Sequence, residues 1–168
     1  MRHIMKRLCP VLLSVLLLTL CIAPAAQAAE YTATQDFINY LESKNIKYTY
    51  IGMQDEKELL TISYTLDNFE NLTLMCIFNN DSEEVSLRMW EIVTTTAAKT
   101  RVLFVLNTLN ADYKFVKFVY DESDSTVQAE LDMYIDGEHC GRSIYDAMLC
   151  IFRIVDEESV AKELHSLE

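Results

Sequence analysis

Glycine is nearly missing from this chain. Of 168 residues only Gly52, Gly137 and Gly141 are glycines, and none is spaced like a P-loop or a dinucleotide fingerprint, so a Gly-rich phosphate cradle is excluded. Histidine is as scarce, with His3, His139 and His165 only. His3 falls in the leader described below, and His165 stands close to the C-terminal end, where fraying is expected. A Ser-His-Asp or Cys-His arrangement would therefore have to be built on His139. Basic residues are outnumbered, 14 against 26 acidic, for a formal charge of −12. Affinity for phosphate backbones comes from Lys and Arg, so nucleic acid and anionic membrane are poor partners for such a field. The chain also lacks an apolar run long enough to cross a bilayer. Its main candidate, residues 11–23, has 13 residues, too few to span roughly 30 Å of hydrocarbon as a helix.

What is present at the start is a three-part leader. Arg2, Lys6 and Arg7 make a basic opening without acidic residues, the apolar run follows, and Pro24 precedes the small-residue stretch 25–28. That layout is a secretory signal peptide, with cleavage expected after Ala28. A lipid anchor on Cys21 is disfavoured because Leu20 stands where a small residue is expected. The remaining chain, residues 29–168, has the size of one domain and can bury a real core. It keeps 11 basic residues against 26 acidic ones, a formal charge of −15. The expectation is an exported protein, periplasmic or extracellular, with no stable membrane anchor after cleavage. Its three cysteines, Cys76, Cys140 and Cys150, allow at most one internal bridge, so this is not a disulfide framework.

Periodicity sets the expected order of elements. Phe37, Ile38 and Leu41 recur at helical spacing after a capping-box pattern at residues 32–35, which predicts a helix over about 33–44 ending at Asn45. Alternation then marks strands through Leu60, Ile62, Tyr64 and Leu66, through Leu72, Leu74, Cys76 and Phe78, and through Val85, Leu87 and Met89. A short strand around 48–51 is a possible addition before them. Ala98, Val102, Val105, Leu106 and Leu109 predict a second helix over 97–110, capped by Thr94, Thr95 or Thr96. Two more strands and a last helix reaching toward Leu164 complete the chain. Asn110 is expected in the left-handed position past the second helix, and Asn107 in hydrogen bonds to the turn. The fold class is α+β: an antiparallel sheet of about five strands with three helices, in the order α-β-β-β-α-β-β-α.

Three constellations carry possible chemistry. The loop Asp136-Gly137-Glu138-His139-Cys140-Gly141 sets a base beside a thiol, but adjacent residues seldom face one another and no orienting group is recognisable. Asp132, Asp136, Glu138, His139 and Cys140 lack the paired spacing of a zinc site or a calcium loop. No catalytic, cofactor-binding or metal residue is therefore assigned, and no cofactor is expected. Cys76 shares a face with Leu74 and Phe78 and reads as a buried thiol. The third constellation is a surface: Met75 and Ile77 lie opposite Cys76, and Trp90 and Ile92 opposite Met89. If helices cover one face of the sheet, Met75, Ile77, Trp90 and Ile92 make a candidate protein-contact surface on the other.

The order and spacing resemble the YbjN-domain family over residues 34–155. The most pointed likeness is in Leu106-Asn107-Thr108-Leu109-Asn110, followed by the aromatic strand region 113–120 and the acidic strand region 126–136. The resemblance implies a type III secretion chaperone-like fold and a protein-binding or regulatory module, with no catalytic residues to carry over. The leader sets this chain apart from secretion chaperones, which act in the cytoplasm. The leading expectation is a non-enzymatic, chaperone-like binding module with an unknown protein partner and a possible weak homodimer. The alternative is a small hydrolase or metal-dependent enzyme using the His139/Cys140 loop.

Overall fold

A computed structural model describes residues 29–79, 83–136 and 139–168. The leader and its cleavage position at Ala28 lie outside the described residues. The elements run α1 (Thr32–Ser43), β1 (Thr49–Gln54), β2 (Lys57–Tyr64), β3 (Leu72–Asn79), β4 (Glu84–Thr94), α2 (Lys99–Asp112), β5 (Lys117–Asp121), β6 (Thr126–Tyr134), α3 (Gly141–Val155) and α4 (Glu158–His165). The strands form one antiparallel sheet in the order β1-β2-β3-β4-β6-β5.

The α+β class and the antiparallel sheet agree with the expectation; the counts do not. Among the described residues there are six strands rather than five and four helices rather than three. The extra strand is β1, whose alternation is interrupted by a register shift between Tyr50 and Gly52. Gly52 sits there at φ 93, a conformation that costs a residue without Cβ little. The extra helix comes from a break at Asp156. The Asp156 carboxylate accepts hydrogen bonds from the amides of Asp67 (3.2 Å) and Asn68 (2.8 Å), and its carbonyl accepts one from the Asn68 side chain (2.7 Å). The last helix is thereby tied to the β2–β3 connection and turns into α4, which buries Val160, Ala161 and Leu164.

All the helices contribute to one core with one face of the sheet. Leu60, Ile62, Leu74, Cys76, Phe78, Val85, Leu87 and Met89 face inward and are essentially inaccessible to water. Phe37 of α1 meets Phe78 of β3 with ring centroids 6.0 Å apart, and Tyr64 of β2 meets Phe152 of α3 at 4.9 Å. Burying a large apolar side chain contributes about 1.5–3 kcal/mol, so this single face dominates stability. Among the described residues, none of the helices covers the opposite face.

Capping differs from the sequence expectation at three places. No side chain of the 32–35 stretch caps α1; the buried Glu58 carboxylate of β2 does so instead, accepting from the amides of Glu30 (2.6 Å) and Tyr31 (3.0 Å). No threonine side chain caps α2, which begins after Ala98; Thr95 and Thr96 instead donate to the carbonyls of Leu167 and Glu168, each at 2.6 Å. Asn110 stays inside α2 rather than ending it, and its side chain brackets β5. It accepts from the Phe118 amide (2.7 Å) and donates to the Phe118 carbonyl (2.9 Å). An edge strand leaves such groups unpaired, so Asn110 stands in for a seventh strand at that point. Asn45 does end α1 in the left-handed conformation, at φ 56.

Candidate protein-contact surface

The outward face of the sheet is built by the residues between the core positions. Strand register sets Thr61, Met75, Arg88, Glu130 and Lys117 in one row across it, with Leu59, Ile77, Ser86 and Asp132 in the next. Leu59, Met75 and Ile77 are half-buried among their neighbours. Trp90, one step beyond Met89 on β4, is 43% exposed. The structure thus brings Met75, Ile77 and Trp90 to the same face.

Ile92 is not part of it. It is 6% exposed and belongs to the core. Between the pairs Met89↔Ala129 and Val93↔Val127, β4 advances four residues while β6 advances two. The surplus is taken up around Glu91, which adopts φ 53. Such an irregularity breaks the alternation locally, so Ile92 is buried beside Val93, where unbroken alternation would point it out.

The outward face is polar around its apolar patch. Arg88 reaches Asp132 at 2.6 Å and Glu130 at 3.9 Å, and Ser63 and Thr73 share a hydrogen bond of 2.8 Å. Among the described residues the most exposed large apolar side chains are Phe104 on α2, Phe115 before β5 and Tyr134 at the end of β6. Tyr134 pairs with Glu84 and so lies on this same outward face, whereas Phe104 and Phe115 lie off the sheet. Phe104 stands off the α2 face made by Val102, Val105, Leu106 and Leu109, which is the face that is buried.

The His139/Cys140 loop is arranged for docking helices. His139 is exposed with a left-handed backbone at φ 59, and Cys140 is buried. Burial, followed by the nearby Asp36 carboxylate, pushes the Cys140 thiol up to about 11. A nucleophilic cysteine needs the opposite shift. The thiol faces the Ala33 carbonyl at 3.9 Å, and the Gly141 amide at the start of α3 donates to Asp36 of α1 at 2.7 Å. Gly141 lets α1 and α3 approach closely, since an added Cβ would lie 2.6 Å from the Asp36 carbonyl oxygen. Among the described residues no group of three or more His, Cys, Asp or Glu is placed to hold a metal ion; Glu138 lies outside them. The described cysteines are all free, with Cys76 buried as expected and Cys150 partly so. His165 is not frayed: its ring stacks on Phe69 with centroids 4.7 Å apart and its nitrogens lie 3.1 Å from Glu168 and 3.2 Å from the Asn68 carbonyl.

The most unusual ionisable group is Glu58, buried on the core face. Burial pushes its carboxyl up. Thr34, Tyr50 and the Glu30 and Tyr31 amides outweigh that, so the carboxyl sits below its ordinary value. The Tyr50 hydroxyl donates to it, and burial with that bond raises the tyrosine in turn. The Thr34 hydroxyl is buried beside the carboxylate without a well-formed hydrogen bond of its own. This is a structural clamp on the start of α1, where a negative charge is favoured by the helix dipole.

The class defined by this architecture is an α+β protein with one covered and one bare sheet face. It shares that fold with a solved structure. YbjN from E. coli, which carries a proposed role as a transcription regulator, superposes with a TM-score of 0.52 at 11% sequence identity, over 80% of this chain and 93% of that one. The fold is therefore YbjN-like. No protein-family model matches the sequence, and no curated protein matches it. No helix among the described residues is long and apolar enough to cross a membrane.

Proposed function

We infer that the chain is an exported, single-domain, non-enzymatic module that binds another protein through the bare face of its sheet. The observation that carries the reading is the pairing of an exposed Trp90 with half-buried Met75 and Ile77 on a face that no described helix covers. Apolar patches rimmed by polar groups mark contact sites, and tryptophan is the side chain most enriched among residues that dominate binding energy. The YbjN-like fold is compatible with a binding or regulatory role.

The test compares wild-type protein with Trp90→Ala as bait for cell-envelope proteins. The reading expects one or more partners retained by wild type, lost with Trp90→Ala and kept with His139→Ala, at equal thermal stability. Loss of an enzymatic activity in His139→Ala with unchanged stability would instead establish the loop as an active site. N-terminal sequencing of the envelope protein should begin at Ala29; an intact Met1 would remove export from the reading.

A further inference from the structure

A second surface is independent of the sheet face. Helices α2 and α4 leave between them a groove of about 340 Å³. On α2 the four-residue steps 104–108–112 and 105–109 turn Phe104, Leu109 and Asp112 into it, and α4 contributes Ser159 and Glu163, with Tyr113 at one end. The floor is apolar, and Phe104 stands at its edge 73% exposed. The charged lining residues are all acidic. Neither the Asp112 nor the Glu163 carboxylate has a hydrogen bond or an ion pair among the described residues. A third carboxylate, Glu157, is already satisfied by the Tyr113 hydroxyl at 2.8 Å and by Ser159 at 3.0 Å, which pins Tyr113 at the groove's end.

We propose that this groove binds a basic, apolar peptide segment of a partner protein. A lysine or arginine would lie between Asp112 and Glu163, and a neighbouring apolar side chain would cover Phe104 and Leu109. Charge decides among occupants. A second copy of a chain with formal charge −12 would bring its own carboxylates to this rim, whereas a cationic segment is drawn in by the whole field and then paired locally. A bare cation would leave Phe104 in water and gain nothing from the apolar floor.

The probe is a fluorescein-labelled synthetic helix of lysine and leucine, read by anisotropy with the full chain at about 0.15 M salt, where the Debye length is about 8 Å. Controls replace leucine by serine, or lysine by glutamate. The lysine-leucine probe should bind at least about tenfold more tightly than either control, since local pairs and apolar burial add to the field. Asp112→Asn with Glu163→Gln should weaken it about tenfold or more, and Phe104→Ala about fivefold. Glu56→Gln with Glu70→Gln removes the same charge from exposed positions elsewhere and should change binding by less than about twofold. Trp90→Ala should leave it unaltered, which separates this site from the sheet face. Equal weakening by the two charge-removing pairs would reduce the effect to the general field and overturn the proposal. So would a lysine-serine probe that binds as well, a Phe104→Ala variant that binds normally, or sedimentation showing that wild type self-associates through the groove and Phe104→Ala does not.

Discussion

The two faces of the sheet come from the same strands, yet they obey different physics. Inward, Leu74, Cys76 and Phe78 of β3 are sealed under helices; outward, Met75 and Ile77 of that strand are only half-buried and meet Arg88, Ser86 and water. The inner face has no freedom because every atom has packed neighbours. The outer face is looser, with its apolar side chains only partly removed from water.

That contrast predicts a ladder of effects. Phe78→Ala, which empties the meeting point of α1 and β3, should cost about 3–5 kcal/mol in denaturant unfolding. A cost as small as that of an exposed position would show that the inner face does not dominate stability. Glu58→Gln tests the one buried charged residue among the described residues and should cost about 1.5–3 kcal/mol, because charge-assisted bonds at the start of α1 are weakened. Its pH dependence has a definite sign. A carboxyl held below its ordinary value adds stability that is present above that value, 4.5, and is lost as pH falls through the folded one. The gap between wild type and Glu58→Gln should therefore narrow in acid; a gap that widens would overturn the clamp.

Gly141→Ala comes next. Its new Cβ meets the Asp36 carbonyl and the Tyr40 side chain, and forcing α1 from α3 should cost about 1–3 kcal/mol. Thermal melts of the two proteins read this directly. At the bottom stands Trp90→Ala, which should change stability by less than about 0.5 kcal/mol, as exposed positions do. With Ile92 in the core, the patch for two copies to share is smaller than alternation suggests, and like charges oppose pairing. Any dimer should be weak, grow with salt, and shift to monomer in Trp90→Ala. A tight dimer unaffected by Trp90→Ala, seen in analytical ultracentrifugation, would assign pairing to another surface.

The division between local and global information runs through particular residues. Alternation in 60–66, 72–78 and 85–89 was enough to place the meander and its inward face, and helical spacing placed α1, α2 and α3. Each of those signals is local, because side-chain direction follows the backbone period. Met75, Ile77 and Trp90 were legible as an outward set for the same reason. What only the tertiary structure decided depends on partners distant in sequence. Glu58 replaces the threonine-based cap because β2 delivers a buried carboxylate to the start of α1. Asp156 splits the last helix because the β2–β3 connection comes to meet it. The irregularity at Glu91 buries Ile92 because β6 offers two positions where β4 spends four. The α2–α4 groove exists only once that split has laid α4 beside Phe104. Periodicity describes one segment at a time, and none of these four features belongs to one segment.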